Sequence, residues 1–333
     1  MSEVRTAIAG LGWWGRKMTD LIQSKGRGLK IIRAADPSAE ARDFAAAKNI
    51  RLSERFEDIL SDPDVEAVIL ATPHALHGSQ IAGAVAAGKH VFCEKPLALT
   101  RAEAQKSVDL CRSGHLVLGM GHERRFEPPI ADLLRQAEAG RLGRLLQIEA
   151  NFSHDKFLSL AKNNWRLDPE HAPAAGMTAT GIHLTDLAVK LMGPAADVRV
   201  ICASLASDMA QGDTLSAHVR FAGGASAYIS ATLATPFFSR FAVFGTNGWI
   251  DIRDKAHVEK PEGWIVTRAY KGTAIESFEV PPAEPVIENL EAFAAAVRGT
   301  APYPITGEEM ISNIALLEAI VKAAKSGALE RVP

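Results

Sequence analysis

An alternation in the first third of the chain constrains the fold most: apolar runs of strand length separated by amphipathic segments of helix length. VRTAIAG gives way to RKMTDLIQSKG, LKIIRAA to SAEARDFAAAKN, VEAVILAT to GSQIAGAVAAGK, and HVFCE to RAEAQKSVDLCRSG, before LVLGMG closes the series. Strands that are apolar throughout need cover on both faces, and the intervening helices supply it. The pattern therefore predicts α/β architecture, with βαβ units wound around a parallel sheet.

From about residue 121 the pattern changes. A helix (PPIADLLRQAEAG), a strand (LLQIEANFS), a long polar stretch and a second helix (GIHLTDLAVKLMG) lead into successive strands separated by GG, NG and similar turns. Those turns predict an open, mostly antiparallel meander. Two helices near 286–298 and 307–325 close the chain, and a length of 333 residues suits two domains, here divided as 1–121 and 122–333.

A net charge of −2, with no long run of one sign and no basic stripe among aromatics, argues against nucleic acid or a membrane surface as partner and for a small molecule. MSEVRTAIAG has no signal-peptide pattern, and no apolar run approaches the roughly 18 residues of a membrane span. Cys93, Cys111 and Cys202 are sparse, odd in number and without ligand spacing. Reduced thiols, a cytoplasmic location and no metal are expected.

The first strand runs into GLGWWG, where Gly10, Gly12 and Gly15 form GxGxxG before a helix. Glycines there allow a tight turn and close backbone approach, and the helix N-terminus attracts a pyrophosphate. Asp36 ends the second strand, 21 residues beyond Gly15, where a dinucleotide fingerprint places an acid on the adenosine ribose. A carboxylate repels a 2′-phosphate, so NAD is favoured over NADP. Asp36 also reads as a helix N-cap, and the glycines as a turn without a ligand. Trp13 and Trp14 fill the variable positions, where one can roof the cofactor or both can simply pack.

Thr72 and Pro73 follow the fourth strand, and Glu94, Lys95 and Pro96 the fifth, at the carboxyl ends where doubly wound sheets bind ligands. A lysine there can stabilise a developing alkoxide or relay its proton. Further on, His183 and Asp186 stand at i and i+3 of one helix, a spacing that lets the carboxylate orient the imidazole. A histidine satisfied by packing, beside a helix-face charge, is the bland alternative.

Together these segments resemble the Gfo/Idh/MocA oxidoreductases, the glucose-fructose oxidoreductase and inositol dehydrogenase group. The resemblance is carried by GLGWWG, the acid after strand two, TPxxxH ending in His77, AGKHVFCEKPLALT, RRF at 124–126, GRLG at 140–143, WR at 165–166, GIHLTDL at 181–187 and FGTNGWIDI at 244–252. It implies an N-terminal Rossmann domain and a C-terminal α/β domain that associates into homodimers or homotetramers through its sheet. It implies oxidation of a sugar, polyol or related hydroxyl compound with NAD(P), or the reverse. Lys95 takes the place of the family's catalytic lysine and His183 that of its catalytic histidine, and His77 joins the cofactor set.

One departure stands out. The acid commonly found four residues before the family's histidine is Ala179 here, flanked by Thr178 and Thr180. Orientation of substrate must come from elsewhere, with Arg125, Trp165, Arg166, Thr180 and Asp186 as candidates. If several of Arg124, Arg125, His154, Lys156, Lys162, Trp165 and Arg166 converge on the cleft, an acidic substrate such as a sugar acid or hydroxy acid is expected. A redox-neutral hydrolase or lyase that retains NAD, and a non-catalytic ligand sensor, are the alternatives to a dehydrogenase.

Overall fold

The structure is a computed structural model that describes residues 2–174 and 176–333; Ala175, in the segment before His183, lies outside the described residues. The chain divides into two units, residues 1–123 with 286–311, and residues 124–285 with 312–333.

In the first unit, β1 (Val4–Ala9), α1 (Trp13–Lys25), β2 (Leu29–Ala35), α2 (Ala39–Ala47), β3 (Arg51–Ser53), α3 (Phe56–Leu60), β4 (Ala67–Leu70), α4 (His77–Ala86), β5 (His90–Cys93), α5 (Arg101–Ser113) and β6 (Leu118–Met120) follow one another. The strands form a parallel sheet in the order β3-β2-β1-β4-β5-β6, the doubly wound arrangement that the alternation predicts. Its order reverses beside β1, which puts the loops after β1 and β4 at the topological switch point. Ile8, Ile69, Leu70 and Phe92 are fully or almost fully buried, each contributing about 1.5–3 kcal/mol of burial free energy. The short β3 and α3 have too few apolar repeats to show in the sequence.

The second unit begins with α6 (Pro128–Glu138), β7 (Leu145–Ser153), a π-helix at Met177–Gly181, and α7 (Ile182–Met192). It continues through β8 (Ala195–Ala203), β9 (Thr214–Phe221), β10 (Ser226–Thr232), β11 (Phe238–Gly245), β12 (Gly248–Asp254), β13 (Trp264–Tyr270) and β14 (Glu276–Val280). After α8 (Pro285–Val297) and α9 (Gly307–Ser326), β15 (Glu330–Arg331) pairs with β8. The sheet order is β14-β13-β12-β11-β7-β10-β9-β8-β15.

The sheet is mostly antiparallel, as expected, but it is not a simple meander. β7 lies between β10 and β11, parallel to β10 and antiparallel to β11. The five-residue link Leu233–Phe237 is longer than a tight hairpin turn, and it lets the earlier strand enter between them. Burial alternates cleanly along β9, as in a sheet with one face on a core and the other on solvent.

Helix α8 belongs to the first unit, although it follows the second unit's sheet in sequence. Phe293 meets Phe92 edge-on at 5.6 Å. Gly119 makes room for both rings, since a Cβ there would lie 2.7 Å from each. Asn289 donates to the Met120 carbonyl at 2.9 Å, and the Tyr303 hydroxyl accepts from the Met120 amide at 3.0 Å, fixing the end of β6.

Candidate active site

The glycine turn is built as a dinucleotide cradle needs to be. Gly10 has φ +90°, and a Cβ there would come within 2.5 Å of the Ala71 carbonyl. At Gly15 a Cβ would lie 1.9 Å from the Gly10 carbonyl, so only glycine lets α1 start this close to β1. Gly12, by contrast, has nothing within 4 Å of a would-be Cβ, and as N-cap it receives no side-chain cap. The α1 amides thus open onto free space, which fits a pyrophosphate.

Asp36 sits beside this turn. Its Oδ2 accepts from the Leu11 amide at 2.6 Å and its Oδ1 from the Ser38 amide at 2.8 Å. Ser38, not Asp36, is the N-cap of α2, so Asp36 acts on the glycine turn and its own loop instead. A groove of about 850 Å³ runs along these groups, lined by Gly12, Trp13, Arg16, Asp36 and Ser38 among others. These residues fit the adenosine half of a dinucleotide.

The two tryptophans divide. Trp13 is 55% exposed on the groove, and its ring lies 5.2 Å from that of Trp14. The indole N–H of Trp14 is close enough to favour the charged form of Glu94, without reaching ordinary hydrogen-bond geometry.

Glu94 is buried at the end of β5. Burial raises its pKa, the nearby Glu123 raises it further, and together they outweigh Trp14 and Lys95, leaving it at about 8. Its carboxyl is therefore a neutral acid at pH 7. Gly121 matters here, because a Cβ on it would lie 2.5–2.6 Å from the carboxyl atoms. The Lys95 amide donates to Glu94 Oε2 at 3.3 Å, and the Lys95 side chain is only partly buried.

His77 does not present its ring to an open crevice. Fully buried, it bridges the Pro96 carbonyl, 2.8 Å from Nδ1, and the Thr72 carbonyl, 3.1 Å from Nε2. Burial lowers its pKa, and a neutral ring donates to one carbonyl at a time. It ties the loop after β4 to the loop after β5. The Thr72 hydroxyl donates to Gln80, and Pro73 leads into the turn before α4.

In the second unit His183 is buried on α7, with the Phe152 ring 6.5 Å away. Asp186, expected to orient it, directs both carboxylate oxygens at Arg125, which donates from Nε and Nη2 at 2.7 Å each. Two residues expected on substrate thus hold each other. The Thr180 hydroxyl is shared between the Phe152 and Gly176 carbonyls, at 2.9 Å each, and Thr178 donates to the Pro173 carbonyl. Such back-bonding threonines suit the widened turn of the π-helix.

Of the remaining cations, Arg124 donates to Ser239 at 2.9 Å and pairs with Asp254 and Glu127. Lys156 pairs with Glu259, and the Arg166 guanidinium stacks 4.4 Å from the Trp165 ring centre. The structure therefore matches Arg124, Arg125 and Lys156 with carboxylates of the protein itself. Sequence reasoning missed Phe152 and His257, whose rings lie 5.7 Å apart, and Glu123 as the partner charge of Glu94. No local motif marks them, because each takes its place through sheet pairing or a loop distant in sequence.

Comparison with known proteins agrees with this architecture. A family model described as an oxidoreductase family with an NAD-binding Rossmann fold matches residues 4–122, and a GFO/IDH/MocA C-terminal domain model matches residues 130–251. The chain is 31% identical to 1,5-anhydro-D-fructose reductase of Ensifer adhaerens, over 90% of each chain. It is 25% identical to scyllo-inositol 2-dehydrogenase (NAD(+)) of Bacillus subtilis, over 98% of this chain and 95% of that one. The solved structure of levoglucosan dehydrogenase in complex with NADH shares the fold, with a TM-score of 0.87 at 20% identity and full coverage of both chains.

Proposed function

The chain belongs to the Gfo/Idh/MocA oxidoreductase family, and from that premise we propose that it moves a hydride between NAD and an uncharged sugar or polyol. The observation that carries the cofactor choice is Asp36, fixed by two backbone amides at the edge of the glycine turn. A carboxylate so placed accepts ribose hydroxyls and repels a 2′-phosphate. Gly10, Gly12, Gly15 and Trp13 hold the adenosine and pyrophosphate portions. Trp14, Thr72, Pro73, Glu94 and Lys95 serve the other end, with His77 fixing their loops.

NAD, when bound, supplies the hydride acceptor. His183 takes the proton of the substrate hydroxyl as general base, and the Lys95 ammonium stabilises the oxyanion that develops. In the reductive direction both roles reverse. Arg125 and Asp186 act as a pair that sets the α7 side of the site, while Trp165, Arg166 and Thr180 shape its walls. The matching of Arg124, Arg125 and Lys156 with Asp254, Asp186 and Glu259 supports an uncharged substrate. The relatives, a reductase of an anhydro sugar and an inositol dehydrogenase, support the same class.

The first unit, residues 1–123 with 286–311, serves as the NAD-binding domain, and the second, 124–285 with 312–333, as the substrate and oligomerisation domain, in a cytoplasmic homodimer or homotetramer. Among the described residues no helix is long and apolar enough to cross a membrane. The outer face of the second sheet supports association, since it carries exposed Ile201, Tyr228 and Phe238 beside the Arg240–Asp251 and Arg240–Glu149 pairs.

The test is NADH formation over a panel of sugars, polyols, sugar acids and hydroxy acids, with NADP run in parallel. Turnover of neutral polyhydroxy compounds with NAD is expected. Lys95→Ala and His183→Ala should each lower kcat by about a hundredfold or more while NAD affinity changes little. Substrate conversion without net NADH, or wild-type rates in both variants, would overturn the reading.

A further inference from the structure

One feature of the second unit sets this chain's substrate apart within the reading above, on which the inference rests. Ala179 lies four residues before His183, across the junction of the π-helix and α7, and residues so spaced share a helix face. Ala179 packs with Phe157 and Leu167 against buried Met209 and Leu233.

Ala179, Phe157 and Leu167 each keep part of their surface exposed, so this wall can still meet a ligand. The neighbouring threonines are buried and engaged by the backbone. Thr178 donates to the Pro173 carbonyl and Thr180 to the Phe152 and Gly176 carbonyls. The Phe152 ring lies 6.5 Å from that of His183. A substrate hydroxyl resting against such a wall leaves water without gaining a partner, which costs binding.

We propose that Ala179, with Phe157 and Leu167, selects a substrate in which the carbon beside the reacting carbinol bears no free hydroxyl, as in a deoxy or anhydro sugar. Ala179 is thus a specificity-determining residue that acts by exclusion. A carboxylate at this position would accept a hydroxyl and reverse the preference.

The experiment uses the full chain with NAD and two matched pairs of probes: 2-deoxy-D-glucose with D-glucose, and 1,5-anhydro-D-glucitol with D-glucitol. Initial rates of NADH formation give kcat/KM for each probe, and the affinity of each for the protein–NADH complex is measured by calorimetric titration. In at least one pair the deoxy or anhydro member is expected to lead by about tenfold in both readouts, the scale set by an unsatisfied hydroxyl. Ala179→Asp should bring that ratio to unity or below, and Ala179→Ser, a smaller intrusion into the cluster, should narrow it; thermal melts confirm that each variant folds.

Equal kcat/KM and affinity within both pairs, or a preference that survives in a folded Ala179→Asp and Ala179→Ser, overturns the inference while NADH formation leaves the dehydrogenase reading standing. Absence of both turnover and binding for every probe also overturns the inference. Failure across the wider sugar and polyol panel as well would overturn the dehydrogenase reading with it.

Discussion

Arg125 and Asp186 meet as a flat, two-point pair, Nε to Oδ2 and Nη2 to Oδ1 at 2.7 Å each, with both side chains almost completely buried. Arg125 lies two positions beyond Glu123, where the first unit's N-terminal segment ends, whereas Asp186 lies on α7 one turn beyond His183. The pair therefore fixes the helix that carries the proposed base to the chain that enters the second unit.

Breaking this pair should cost more than deleting it. Asp186→Asn leaves a buried guanidinium without its countercharge, an expected loss of about 3–5 kcal/mol. The double replacement Arg125→Met with Asp186→Leu should recover most of that loss, because neither charge is then stranded. Urea denaturation of the three proteins checks it; equal losses in the single and double variants would contradict the account.

Glu94 predicts a pH dependence of stability. Its folded pKa of about 8 exceeds its ordinary value of 4.5, so between the two the folded chain holds a proton that the unfolded chain has released. Its contribution to stability therefore declines as pH rises through that window, and the full penalty is present above about pH 8. Glu94→Gln keeps the shape of the neutral acid and cannot ionise. Its melting temperature should match that of the wild type near pH 5 and exceed it near pH 9. Parallel pH profiles for the two proteins would refute the assignment.

Asp36 offers a test of the adenosine site that needs no substrate. Asp36→Ala removes the acceptor for the Leu11 and Ser38 amides as well as the proposed ribose contact. NAD affinity, followed by quenching of the exposed Trp13, should fall about tenfold or more, and NADP affinity should fall less or rise. Unchanged discrimination between the two cofactors would remove Asp36 from the ribose site.

Much of this was legible in the sequence. The β1–β6 sheet follows from uninterrupted apolar runs between amphipathic helices, and Gly10 and Gly15 follow from a turn whose crowding no Cβ survives. Asp36 was located by spacing, but spacing left open whether it capped α2; the fold puts Ser38 at the N-cap position, where its amide donates to Asp36. The cations were legible as residues, but the carboxylate partners of Arg124, Arg125 and Lys156 were not, because Asp254, Asp186 and Glu259 lie far from them in sequence.

Local chemistry thus determined the elements and the glycine turn, since periodicity and turn residues act over a few residues. Tertiary structure alone decided which charges are matched, which carboxyl stays neutral and what surrounds Ala179. Those properties depend on burial and on partners brought close by sheet order, as when β7 enters between β10 and β11 and carries Phe152 to the side of His183. A linear pattern specifies which groups a chain owns, whereas desolvation and Coulomb energy depend on distances that only the packed fold sets.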